Sequence, residues 1–172
     1  KDVQLAEFMG AEFLTGQEAP SLAELKNQGY TNVIYAIGAW KHGVLRLESG
    51  RALNSLEFLK ANRENPTINP YGEQIVVVGG GNTAMDCARA ATTLPGVKKV
   101  SVVYRRNKRN MPADEEELYF ALEDGVDFLE LLSPIKHENQ QLTCEKMVLG
   151  ERDASGRRRP IGTGEMIDIP AD

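Results

Sequence analysis

Apolar and polar positions along the chain change period several times, and each change marks an element. The run Ile75-Val76-Val77-Val78 is continuous and apolar, so it predicts a central parallel strand covered on both faces. Glycines break it at 79–81. From Asn82 to Leu94 the small apolar residues Ala84, Cys87, Ala88 and Ala91 recur at helical spacing, and Pro95-Gly96 stops the helix. A second strand follows at 97–104, ending in Val-Val-Tyr. A second helix is predicted over 113–123, closed by Gly125, then a third strand over 126–132, ended by Ser133-Pro134. Beyond this the period falls to two. Segments 142–151 and 165–169 alternate like strands of an antiparallel meander, turning at Asp153-Ala154-Ser155-Gly156.

Upstream, Ser21 and Glu24 form a capping box for a short helix, 22–28, stopped by Gly29. Residues 32–37 read as a strand closing on Gly38-Ala39, and a helix is predicted near 56–64. Pro66 and Pro70 make a stiff connector into the first β-strand of the βαβ unit. One helix and one strand cannot enclose a core, so 1–38 is expected to belong to a sheet whose other strands lie elsewhere. The predicted class is α/β, a Rossmann-like parallel sheet with an antiparallel β-meander and a partial domain segment at the N-terminus. The expected division is 1–38, a helical linker over 39–72, and a nucleotide domain over 73–172.

The glycine turn sits where a dinucleotide phosphate site requires it. Gly79 allows the sharp turn, Gly80 lies within it, and Gly81 removes a Cβ where the backbone approaches a pyrophosphate. Ala84 takes the third small position of G-x-G-x-x-G/A. Asn82 and Thr83 begin the helix, whose free N–H groups and partial positive charge suit an anion. The second strand then ends Tyr104-Arg105-Arg106, followed by Asn107-Lys108-Arg109. An acid at this place selects NAD; arginine accommodates the 2′-phosphate of NADP. Each charge-assisted bond from a guanidinium is worth roughly 1.5–3 kcal/mol, so Arg105, Arg106 and Arg109 predict NADPH over NADH. A competing reading has these cations neutralising Asp114-Glu115-Glu116-Glu117, but those acids are already accommodated by the first turn of the predicted helix.

Composition narrows the classes. The chain has 172 residues, 41% hydrophobic and 26% charged, with a formal net charge of −5. An acidic chain whose aromatics are not interleaved with its basic residues is a poor nucleic-acid binder. No stretch approaches a membrane span of roughly 18–20 apolar residues, and the N-terminus does not read as a signal peptide. Cys87 and Cys144 form no C-x-x-C pair, so neither a dithiol motif nor an iron–sulfur ligand set is expected here. His42 and His137 are isolated, making a metal site improbable. A reducing, cytoplasmic setting fits. Arg157-Arg158-Arg159 reads as solvated decoration of the meander hairpin.

Five motifs carry a family likeness: Tyr35-Ala36-Ile37-Gly38-Ala39, Gly79 to Asp86 (G-G-G-N-T-A-M-D), Tyr104-Arg105-Arg106, Met111-Pro112-Ala113, and the closing Glu165 to Asp172 (E-M-I-D-I-P-A-D). The chain resembles the glutamate synthase small-subunit branch of the FAD- and pyridine-nucleotide-dependent oxidoreductases, which includes dihydropyrimidine dehydrogenase and selenate-reductase-like subunits. The resemblance implies an NADPH domain inserted into the FAD domain of the same parent chain, with Gly38 at the first crossing. It implies hydride passage from NADPH to FAD and on to iron–sulfur clusters on another segment or subunit. It matches Asp86 to an acidic position near the nicotinamide, and Arg105 and Arg106 to the 2′-phosphate arginines. The FAD-binding glycine motif and the cysteine-rich segment of that branch are missing here. The piece alone is therefore expected to bind NADPH, to hold FAD poorly and to complete no reaction. Two other readings stay open: a non-catalytic NADP(H)-binding regulatory module, and an interaction domain with an empty glycine turn. A hinge at Gly38-Ala39 and 66–70 is a further expectation.

Overall fold

The computed structural model describes residues 2–38, 43–152, 154 and 156–172. It divides into two units, 1–41 and 42–172.

The smaller unit holds α1 (Asp2–Phe8) and α2 (Leu22–Asn27). The capping box of α2 is present: the Ser21 amide donates to Glu24 Oε2 at 2.8 Å and the Glu24 amide to Ser21 Oγ at 3.3 Å. The Ser21 hydroxyl also donates to Glu24 Oε2 at 2.7 Å, and this bond, with that from the Ser21 amide, favours the carboxylate and holds the Glu24 carboxyl below its usual range. Neither helix has a buried residue, and Phe8 is 89% exposed. The strand expected over 32–37 is not formed. Its apolar residues Ile34, Tyr35 and Ile37 are exposed, and no described residue pairs with it in a ladder. A strand needs a neighbour to satisfy its backbone, and propensity alone does not supply one. Gly38 takes φ 75°, a left-handed conformation glycine adopts without strain; Ala39, the other half of the expected hinge, lies outside the described residues.

The larger unit begins with α3 (Ser55–Glu64), capped by Asn54, whose Oδ1 accepts from the amides of Leu56 and Glu57. The βαβ series follows: β1 (Gln74–Val78), α4 (Asn82–Thr92), β2 (Lys99–Tyr104), α5 (Glu115–Glu123) and β3 (Asp127–Glu130). The strands form a parallel sheet in the order β1-β2-β3, with Gln74 opposite Lys99 and Ser101 opposite Asp127. The expectation for β1 is corrected: among the described residues it has a strand neighbour on one side only, and β2 is central. A continuous apolar run reports covered faces and carries no information about edges. The outer side of β1 instead borders an apolar cleft of about 690 Å³, shared with residues 43–55 and Tyr71.

Alternation along β2 supplies two cores. Val100 and Val102 face α3, α4 and α5, joining Phe58, Met85, Cys87, Ala88 and Ala91. Val103 faces the other way, against Leu132, Leu142, Cys144 and Ile169. This second core is the underside of an antiparallel sheet, β4 (Leu132–Glu138), β5 (Gln141–Arg152) and β6 (Arg158–Pro170), in the order β4-β5-β6. The meander thus has three strands where alternation marked two. The third parallel strand is shorter than expected because Leu131 turns the chain with φ 57°, its amide donating to Arg106 O. Ser133-Pro134, expected as a terminator, lies inside β4, and a register shift between Pro134 and Lys136 absorbs the missing donor. Asn139 and Gln140, both at positive φ, make the two-residue turn into β5. Helix α5 starts at Glu115, two residues after the predicted start.

Asp172 folds back on the start of β1. Asp172 Oδ2 accepts from the amides of Glu73 (2.7 Å) and Gln74 (2.8 Å), and its own amide donates to Gln74 O.

Candidate functional site

The three glycines differ in what they do. Gly79 sits at φ 148°, continues the ladder by donating to Val103 O at 3.0 Å, and a Cβ there would lie 3.1 Å from Ala84 Cβ. The small residue at 84 is thus explained by packing against the turn. Gly80 is buried, and a Cβ on it would come within 2.6 Å of the Tyr104 ring. Gly81 is different. Its Cβ position meets only Pro112 at 3.9 Å, so a side chain there is excluded by nothing in the protein.

Gly81 caps α4 with no side-chain bond. Among the described residues the amides of Gly81, Asn82 and Thr83 have no protein acceptor, while those of Ala84 and Met85 donate to Gly81 O. Three outward N–H groups at an exposed helix start, beside a Cβ-free position, form a cradle that fits a diphosphate.

Asn82 is held from across the loop. Its Nδ2 donates to Asp114 Oδ2 and its Oδ1 accepts from the Asp114 amide, both at 2.9 Å. The partners stand thirty-two positions apart, so no local signal marks the pair. Ala113 N donates to Gly80 O at 3.0 Å, and the Tyr104 hydroxyl donates to Asn110 O at 2.9 Å. Tyr104 also stands edge-on to Phe128. These bonds tie the glycine turn to the basic loop after β2. A short 3₁₀ turn, Lys108–Asn110, shapes that loop.

The arginines of the loop part company. Arg105 and Arg109 are exposed. Arg106, expected beside Arg105 on a phosphate, is 7% exposed, and its Nε donates to Arg158 O at 2.8 Å. No described ion pair joins Arg105 or Arg109 to the acids at 114–117; Glu117 pairs instead with Arg89 (3.8 Å), which also holds Asp124 (2.7 Å). The neutralising role weighed for the basic run is therefore not what the structure places there. Asp86 lies on the exposed side of α4, one turn beyond Asn82. Gly38 belongs to the smaller unit.

Both cysteines are buried, one in each core. Burial pushes each thiol up to about 11, with Asp86 adding to the effect on Cys87 and Asp168 to that on Cys144. Such thiols are protonated and inert at neutral pH. No helix among the described residues is long and apolar enough to cross a membrane.

This arrangement of parallel strand, glycine turn and anion-ready helix agrees with the sequence family. Residues 7–151 match the pyridine nucleotide-disulphide oxidoreductase model. The chain belongs to that family. It is 43% identical to YgfK of Escherichia coli over 88% of this chain and 15% of that protein. It is 38% identical to the NADPH-Fe(3+) oxidoreductase subunit beta of Geobacter sulfurreducens, over 93% of this chain and 26% of the relative. Identity to the glutamate synthase [NADPH] small chain of Escherichia coli is 34%, over 95% of this chain and 39% of the relative. These relatives support the glutamate synthase small-subunit-like assignment to which the motifs pointed. The chain spans between 15% and 39% of their lengths.

Proposed function

We propose that this chain is the NADPH-binding part of a flavoprotein oxidoreductase. The observation that carries the reading is the set of unpaired amides at Gly81, Asn82 and Thr83, beside a loop whose exposed cations Arg105 and Arg109 have no described carboxylate partner. The amides and the start of α4 hold the pyrophosphate. Gly81 lets the backbone reach it, and the Asn82–Asp114 pair fixes the first turn of the helix. Arg105 and Arg109 take the adenosine 2′-phosphate. Arg106 braces the loop from behind through Arg158 O, which makes it a positioning residue for the other two. Asp86 lies toward the nicotinamide end. When bound, the nucleotide would supply a hydride to the FAD of the parent protein, whose two electrons would then leave singly, with release of the proton, for iron–sulfur centres elsewhere. The names of the Geobacter subunit and of the Escherichia glutamate synthase small chain, both specifying NADPH, support the cofactor.

Titration of fluorescent NADPH and NADH into the chain tests this. Submillimolar NADPH binding with weaker NADH binding is expected, and Arg105→Ala should weaken NADPH about tenfold or more while sparing NADH, since one charge-assisted contact is worth at least about 1.4 kcal/mol. Absence of NADPH binding at millimolar concentration rules the reading out. Equal loss for both nucleotides refutes the role of Arg105. Flavin reduction by NADPH in the full-length parent separates a catalytic segment from a regulatory nucleotide module.

A further inference from the structure

A second cleft, of about 520 Å³, opens between the 3₁₀ turn and the far end of the β5–β6 hairpin. Asn107, Arg109 and Asn110 form one wall; Arg152, Arg157 and Arg158 form the other. We propose that this cleft is where the adenosine 2′-phosphate is held, so that Arg152 and Arg158 of the meander share with Arg109 the choice of NADPH over NADH. The inference rests on the NADPH reading above and adds to it Arg152, together with Arg158 from the run 157–159 that reads in sequence as surface decoration.

The charge is the first argument. In a chain of net charge −5, Arg109, Arg152 and Arg158 line one space. Among the described residues no carboxylate pairs with Arg109, Arg152 or Arg158. Arg152 Nη1 donates to Gly156 O at 2.9 Å and Arg158 Nη1 to Gly150 O at 3.4 Å. Those carbonyls orient the side chains without neutralising them, and each guanidinium retains most of its five N–H donors. Like charges so arranged repel until an anion enters, and a phosphate monoester brings close to two negative charges and three acceptor oxygens.

The second argument is placement. Arg106 is buried and its Nε donates to the Arg158 carbonyl, so the hairpin end is registered directly on the loop that follows β2. Tyr104 closes the other side, its hydroxyl on Asn110 O and its ring packed under Gly80. One tyrosine ring therefore separates the wall of the cleft from the glycine turn. A phosphate on the ribose of a nucleotide seated at that turn falls within reach of the cleft, whereas a nucleotide lacking it leaves the cleft unfilled.

The test uses the full chain with Arg152→Ala plus Arg158→Ala, and with Lys at both positions, each first checked for an unchanged melting temperature. Nucleotides are titrated by fluorescence, and 2′,5′-ADP, 5′-AMP and inorganic phosphate by calorimetry. The alanine pair should raise the Kd for NADPH and for 2′,5′-ADP about tenfold or more, with NADH and 5′-AMP changed less than about twofold. The lysine pair keeps the charge without the guanidinium fork and should recover part of the loss. Wild-type NADPH affinity in the alanine pair overturns the inference and leaves the proposed function standing. Parallel loss of NADH assigns the arginines to hairpin structure and also overturns it. Loss of inorganic phosphate binding with NADPH unaffected gives the cleft to free phosphate and overturns it too. A wild-type chain that binds neither nucleotide refutes the proposed function and this inference together.

Discussion

Substituting alanine at Gly80 and, separately, at Gly81 asks whether two neighbouring glycines of one turn serve different purposes. At Gly80 an added Cβ would stand 2.6, 2.7 and 2.9 Å from three Tyr104 ring atoms. The ring is in no position to retreat. It is 7% exposed, its hydroxyl holds Asn110 O, and Phe128 lies against its edge. Overpacking of this kind costs about 1–3 kcal/mol, and losing the hydroxyl bond adds about 1 kcal/mol. Gly80 has no positive φ, so backbone strain contributes nothing and the cost is steric. A total of roughly 2–4 kcal/mol lowers Tm by about 10 °C for a unit of this size. At Gly81 the nearest obstacle is Pro112 at 3.9 Å, so Gly81→Ala should melt like the wild type. Its methyl group instead occupies the space where a diphosphate approaches the amides, and NADPH affinity should fall about tenfold, or 1.4 kcal/mol. Thermal melts by circular dichroism and NADPH titrations read the two effects separately. Repeating Gly80→Ala in a Tyr104→Ala background should remove most of its cost. If Gly80→Ala melts within about 1 °C of wild type, the packing argument is wrong; if Gly81→Ala binds NADPH normally, no anion reaches that amide.

Further outcomes can be checked by simpler means. The folded thiols of Cys87 and Cys144 ionise near 11 against an ordinary 9.0, so between those values the folded chain keeps protons that the unfolded chain has lost. Stability from this source is complete below pH 9 and declines as pH rises toward 11, by up to about 3 kcal/mol per thiol; urea melts across this range should show Cys144→Ala flattening the alkaline limb, and an unchanged limb would contradict the burial. A double-mutant cycle of Asn82→Ala and Asp114→Ala should give a coupling of about 1 kcal/mol, the net worth of an ordinary exposed hydrogen-bonded pair, and zero coupling would mean the clamp is not populated in solution. Arg106→Ala should destabilise the larger unit by about 2 kcal/mol or more, because it leaves a carbonyl and a packed cavity behind, whereas Arg105→Ala should leave the melt within about 0.5 kcal/mol.

Local chemistry was decisive wherever the interacting residues are near in sequence. The capping box at Ser21 and Glu24, the helix start after Gly81, the Pro95-Gly96 stop and the β-strand periods are all set within a few residues, and each element was legible for that reason. The glycine turn and the basic loop could be placed from order alone. Partnership across the chain could not. That β1 pairs on one side only among the described residues, that no strand forms over 32–37, and that Leu131 turns a corner depend on which strands are there to pair. The division of labour between Arg105 and Arg106 was equally hidden. Adjacent arginines look identical in a string of letters, but one is exposed while the other is packed against a carbonyl 52 positions away. The clamp of Asn82 on Asp114 and the convergence of the hairpin arginines on Arg109 belong to the same class. Backbone preference is a short-range property and is written in the sequence; burial and charge proximity are properties of the packed chain, and only the tertiary structure decides them.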